Sequence, residues 1–114
     1  MFKNYLTYQF ALSFHRLCSE LVGLEPAQRH RVMRSAETMI HHFARAVHAR
    51  DPKDEAKTLF VTLLSLRDCK ESLDEFGVHH EEIEAKYSLI HQRLEQLCEK
   101  IAAENENGQF RMLG

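Results

Sequence analysis

Histidines and carboxylates are numerous enough in this chain to raise the question of a metal site. The sequence contains eight histidines, and helical bundles hold two-metal carboxylate sites when a Glu precedes a His by three residues on an inward face. Here Glu37 precedes His41 by four positions, Glu75 precedes His79 by four, and no Asp or Glu precedes a His by three. The spacing therefore predicts no metal site, and the sequence gives no sign of a cofactor.

Nucleophiles and paired acids also lack the arrangement that catalysis needs. Each of the three cysteines, Cys18, Cys69 and Cys98, falls on an apolar stripe, where burial raises the pKa of a thiol and keeps it unreactive. Adjacent acids such as Glu81 and Glu82 point about 100° apart on a helix and cannot flank one substrate bond. With no glycine-rich phosphate loop either, we predict no catalytic residues and a protein that is not an enzyme.

Basic side chains give the strongest pattern outside the apolar positions. Between residues 26 and 50 there are five arginines and one glutamate, whereas residues 51 to 114 contain eight Lys and Arg against fourteen Asp and Glu. The first of these segments carries a basic stripe at helical spacing, widened at its ends by two more arginines. The candidate binding residues are Arg29, Arg31, Arg34, His41, Arg45, His48 and Arg50.

Two interpretations of this basic stripe remain open. It could neutralise nucleic-acid phosphates, which is the usual footprint of an RNA-binding or DNA-binding surface. Alternatively it pairs with acidic helices of the same or another subunit, especially at Asp68, Glu71 and Asp74 to Glu75, and the net charge of −2 for the whole chain favours this second interpretation.

The elements that must position these residues are four amphipathic helices. Apolar residues recur every three or four positions, which is the helical period, and four Gly and two Pro leave few breaks. The predicted helices run over about 5–22, from Pro26 to about Ala49, from Pro52 to about Phe76, and from about Glu81 to Ile101. Proline is tolerated in the first turn of a helix, and Asp51 is suited to cap the third helix.

Within these helices the apolar positions predict the core. The first helix has the line Leu6, Phe10, Phe14, Leu17 and Leu21, and the second has Val32, Ala36, Met39 or Ile40, Phe43 and Val47. In the third helix the predicted core residues are Leu63, Leu66 and Leu73. At two further positions the pattern does not choose between neighbours, namely Leu59 or Phe60 and Cys69 or Lys70. A further apolar line, Tyr5, Tyr8 and Leu12, predicts either deeper burial of the first helix or an oligomer interface.

Short connections between helices force neighbours to lie antiparallel. We therefore predict an all-α, antiparallel, up-down-up-down four-helix bundle over residues 1–103, followed by a flexible C-terminal tail over 104–114. Polar residues interrupt the first seventeen positions, so we expect no signal peptide, no membrane segment and a cytoplasmic location.

The second and third helices resemble a known family. Residues 32–73 follow, without a gap, the pattern of the four-helix bundle proteins encoded in intervening sequences of bacterial 23S rRNA genes, whose architecture a phage reverse-transcriptase accessory protein shares. The segment Leu63-Leu64-Ser65-Leu66-Arg67-Asp68 is the most specific part. Matching positions are Arg34, Ala36, Met39, Phe43, Ala44, Asp54, Leu59, Leu63, Ser65, Leu66, Asp68, Glu71 or Lys70, and Leu73.

This resemblance implies a cytosolic, ring-shaped homopentamer without established enzymatic activity and with a suspected role at RNA. Two hypotheses follow for this chain. The first is a non-enzymatic, oligomeric scaffold or interaction protein whose first helix contributes to the subunit interface. The alternative is an RNA-associated accessory protein that uses the basic stripe.

Overall fold

Four α-helices make up the computed structural model, which describes the backbone of residues 4–113 and the side chains of residues 4–104. The helices are α1 (Tyr5–Ser19), α2 (Pro26–His48), α3 (Pro52–Glu75) and α4 (Glu81–Leu113). The predicted starts at Pro26, Pro52 and Glu81 are confirmed. Helix α1 ends three residues before the predicted Val22.

Local side chains explain where three helices begin. Asp51 caps α3, since its Oδ1 accepts a hydrogen bond from the backbone N–H of Lys53 at 3.1 Å. At the start of α2 the Gln28 side-chain oxygen accepts from the N–H of Glu25 at 3.1 Å, and at the start of α4 the His80 Nδ1 accepts from the N–H of Ile83 at 3.3 Å. Each contact satisfies an amide that the first turn of a helix leaves without a partner.

The end of α3 depends on a glycine. Gly77 adopts φ +71°, and the N–H of Val78 reaches back to the carbonyl of Leu73 at 2.9 Å while the N–H of Gly77 bonds to that of Asp74 at 3.1 Å. This is a Schellman-type ending, in which the left-handed residue is ordinarily glycine. It turns the chain sharply into the short connection to α4.

The helices form an antiparallel, up-down-up-down bundle, as predicted. Each packs against two neighbours: α2 contacts α1 and α3, and α4 contacts α3 and α1. Across the diagonals, no described Cα of α1 lies within 8 Å of one in α3, and the same holds for α2 and α4. Helices α2 and α3 form the most extensive of these contacts. We call the line along which they meet the seam, and the basic stripe of α2 lies beside it.

The core runs along the bundle axis and uses most of the predicted positions. Leu59 and Cys69, rather than Phe60 and Lys70, are the buried alternatives in α3. The prediction was wrong for Leu6, which is 56% exposed, because α1 turns Thr7, Ala11, Phe14 and Cys18 inward instead. The fully buried side chains include Phe14, Val32, Ala36, Met39, Phe43, Leu59, Leu66, Ile90 and Leu94.

Helix α4 is much longer than its neighbours. It contains 33 residues, about 50 Å at 1.5 Å per residue, against 24 residues in α3. The helix thus includes most of the segment 104–114, which the sequence predicted to be a flexible tail, while the side chains after Glu104 lie outside the described residues. None of the helices, over the residues that the structure describes, has an apolar stretch long enough to cross a membrane.

Candidate interaction surface on α2 and α3

Arg29 faces a different neighbour from the rest of the basic residues of α2. Its guanidinium donates to the backbone carbonyls of Ser19, at 3.3 Å, and of Leu21. These carbonyls belong to the last turn of α1 and to the residues that follow it. Arg29 therefore joins α1 to α2, and its charge is engaged within the molecule.

Two further arginines pair with carboxylates of α3. The Arg31 Nη1 lies 2.9 Å from Glu75 Oε2, and the Arg31 guanidinium also lies 5.5 Å from the centroid of the Phe76 ring. At the opposite end of the seam the Arg45 Nη2 lies 3.9 Å from Asp54 Oδ1. All four charged side chains are about half exposed, so each pair contributes little to stability but cancels charge locally.

Between these two pairs lies a polar groove of about 340 Å³. Arg34 is in its α2 wall, while Asp68 and Glu71 are in its α3 wall, so both signs of charge meet there. Hydroxyl groups complete the lining. The eight lining residues are Arg31, Arg34, Ser35, Thr38, Ser65, Asp68, Glu71 and Ser72.

The remaining members of the predicted set lie toward the C-terminal end of α2. His41, His48 and Arg50 are exposed, and the ring of His41 meets that of His42 edge-on at 5.6 Å. The Nδ1 of His42 lies 2.9 Å from the carbonyl oxygen of Thr38. Because a carbonyl only accepts, that nitrogen carries the proton. The structure thus spreads the seven predicted residues along α2 and does not gather them into one pocket.

The predicted oligomer interface on α1 is divided between two environments. Tyr5 is 48% exposed, whereas Tyr8 and Leu12 are half-buried. The ring of Tyr8 packs edge-on against Phe43 of α2, with 5.6 Å between the centroids. Part of this apolar line is therefore used inside the subunit, and Tyr5 remains available at its end.

A network between α3 and α4 was missed at the sequence level. His91 Nδ1 lies 2.6 Å from Glu95 Oε1, while Arg67 Nε donates to His91 Nε2 at 3.0 Å. A carboxylate only accepts, so Nδ1 carries a proton, while Nε2 accepts from Arg67. The four-residue spacing of His91 and Glu95 was a usable signal, but the partner Arg67 comes from another helix. The imidazole therefore links α3 to α4 through both of its nitrogens.

The thiols fall into a buried pair and a half-buried single group. Cys18 and Cys69 are completely buried. The neighbouring Cys69 thiol and burial raise the pKa of Cys18, and the Cys69 thiol itself donates to the backbone carbonyl of Val32 at 3.6 Å. Burial likewise raises the pKa of Cys98. Within the described part of the chain, no group of three His, Cys, Asp or Glu side chains is placed to hold a metal ion.

Comparison with known proteins adds no relative to this description. No family model, no curated protein and no solved structure matches the chain. The interpretation of the surface therefore rests on the residues and contacts described above.

Proposed function

We propose that this protein is a non-enzymatic, oligomeric four-helix bundle with a scaffold or interaction role. The observation that carries this proposal is the exposure of two neighbouring large apolar side chains on α3, where Phe60 is 53% exposed and Leu64 is 42% exposed. On α1, the helix diagonally across the bundle, Tyr5 and Leu6 are also exposed. Apolar side chains placed next to each other on one face are typical of protein-protein contact sites.

The charges on α2 support the same proposal. Arg29 is bound to backbone carbonyls, Arg31 to Glu75 and Arg45 to Asp54. A phosphate chain laid along α2 would meet the carboxylates of α3 at the same time. The resemblance to the 23S rRNA intervening-sequence proteins further suggests five subunits and a cytoplasmic location, both of which are part of this proposal.

The alternative is an RNA-associated accessory protein. It is favoured by Arg34, His41 and Arg50, three exposed side chains for which no carboxylate partner within ion-pair distance is found among the described residues. These three side chains would be the part of the basic stripe that is available to bind phosphates.

Light scattering on a sizing column, at low and moderate salt and with and without a structured RNA, separates the two. The scaffold proposal expects a multiple of the 13.4 kDa subunit mass that RNA leaves unchanged. Co-elution with RNA that is lost as salt rises would favour the accessory role, because binding to phosphates weakens steeply with salt. A monomer at every concentration would contradict the oligomeric scaffold.

A further inference from the structure

One face of α3 turns a continuous row of side chains to solvent. We call it the α3 outer face, and it consists of Lys53, Lys57, Phe60, Leu64, Asp68 and Glu71. All six are exposed, and their spacing of three or four positions places them on one side of the helix. The face does not serve the core, which α3 meets with Leu59, Leu63 and Leu66.

The row is ordered by chemistry along the helix. It begins with two lysines, continues with the apolar pair Phe60 and Leu64, and ends with two acids. None of its four charged groups forms an ion pair with a described residue. Lys53 also lies in the first turn, where the positive end of the helix dipole disfavours a cation. Asp68 and Glu71 also line the groove beside Arg31 and Arg34, but no ion pair with a described residue accounts for the two lysines at the other end of the row.

The charges and apolar residues of the α3 outer face match those of a second copy when the second α3 helix runs in the opposite direction. In an antiparallel pair of α3 helices centred on Thr62, Phe60 faces Leu64 of the second copy, and Lys53 faces Glu71 of the second copy. Lys57 comes within one turn of Asp68 of the second copy. A parallel pair would instead place lysines beside lysines and acids beside acids.

We propose that the occupant of the α3 outer face is a second copy of this chain, bound antiparallel about a two-fold axis at Thr62. Such an axis uses the same patch on both subunits. This inference deepens the proposed function, on whose oligomeric character it rests, and it names a surface on α3 in addition to the predicted α1 line. A two-fold contact is not an interface within a ring of five subunits, so in such an assembly the α3 contact would join two rings.

The area of the α3 outer face limits how tightly two copies can bind through it. Helix α3 has 24 residues, so its outer face measures about 36 Å by roughly 10 Å. Stable dimers bury roughly 800 Å² per subunit, about twice this footprint. The contact is therefore expected to be weak and concentration-dependent, and its charged ends make it sensitive to salt.

Charge reversal tests the arrangement directly. The variant Lys53→Glu with Lys57→Glu leaves only acids on the face, and Asp68→Lys with Glu71→Lys leaves only bases. We expect each variant alone to dimerise at least about tenfold more weakly than the unchanged protein in sedimentation equilibrium, because like charges then face each other. An equimolar mixture of the two should form a heterodimer, and the fourfold variant should regain self-association.

These substitutions are suited to the test because they leave the core untouched. A control for the fourfold variant, which likewise keeps net charge unchanged, exchanges two charges on the exposed part of α4, Glu99→Lys with Lys100→Glu, and should leave the dimer unchanged. Replacing the apolar centre, Phe60→Gln with Leu64→Gln, should weaken the dimer without altering net charge. Circular dichroism of every variant checks that the helices are retained.

The outcomes distinguish this inference from the proposed function. Heterodimers formed only by the mixture would establish the antiparallel α3 contact. An oligomer of any size that all α3 variants leave intact would overturn the inference while keeping the oligomeric scaffold. A protein that stays monomeric up to about 1 mM, where even a weak contact with a millimolar Kd would be populated, would overturn both.

Discussion

The three cysteines show how strongly a side chain depends on its surroundings in the fold. Cys18 on α1 and Cys69 on α3 interact through their thiols in the core, yet no described Cα of α1 lies within 8 Å of one in α3. A disulfide requires Cα atoms about 4.4 to 6.8 Å apart, so the two thiols cannot be joined without moving the helices. Cys98 differs because its side chain is half-buried at the surface of α4.

Thiol labelling should reflect this difference. In the native protein we expect one thiol, that of Cys98, to react with an aromatic disulfide reagent, and all three to react after unfolding in guanidinium. Burial raises the pKa of Cys98, so its labelling rate should keep rising with pH beyond about 8.5, where an ordinary thiol is half ionised. Cys98→Ser should remove the native reaction, whereas rapid labelling of Cys98→Ser would contradict the buried pair.

The basic residues illustrate what the sequence could and could not predict at this scale. Pairing with the acids of α3 was one of the two open interpretations, and Arg31 with Glu75 follows it. Asp74 instead pairs with Lys70 of its own helix. The role of Arg29 was not predictable, because its acceptors are carbonyls whose direction depends on how the chain leaves α1.

At the scale of the elements, helix starts were easier to predict than helix ends. Pro52 and the cap Asp51 are local signals that act within one turn, and α3 begins there. The end of α1 at Ser19 lies before the predicted Val22, since Val22 is 89% exposed and has no packing to hold it in the helix. Leu6 was misplaced for a related reason: the predicted apolar lines of α1 leave out the small residues Thr7, Ala11 and Cys18, and packing against α2 and α4 turns these inward.

The C-terminal end of α3 can be tested by substituting Gly77. Gly77 has φ +71°, and a Cβ added there would meet no atom within 4 Å. Gly77→Ala should therefore lower the free energy of unfolding by about 1 kcal/mol through backbone strain alone. Gly77→Asn is the matched control, because asparagine tolerates this conformation better than alanine. Urea unfolding measures both, and equal stability of Gly77→Ala and the unchanged protein would contradict the positive φ.

For the whole molecule, the fold places the basic segment of the sequence beside acidic side chains. The basic segment of residues 26–50 lies in α2, and most of the acid lies in the two helices that follow. Because α2 packs along α3, the groove between them mixes Arg31 and Arg34 with Asp68 and Glu71. A surface of this kind offers polyanions no extended positive field, despite the number of arginines on one helix.

Removing the acids of α3 should therefore strengthen binding to RNA. In Asp68→Asn with Glu71→Gln and Glu75→Gln, Arg31 and Arg34 lose the carboxylates beside them. We expect tighter binding to a structured RNA and a steeper salt dependence, by roughly 0.9 log units per additional phosphate neutralised. Filter binding across a salt series measures the slope. The control Glu81→Gln with Glu82→Gln and Glu84→Gln changes net charge equally on α4 and should gain much less. If the unchanged protein already bound RNA with the slope of the α3 variant, the carboxylates would not be masking α2, and the accessory role would be the better proposal.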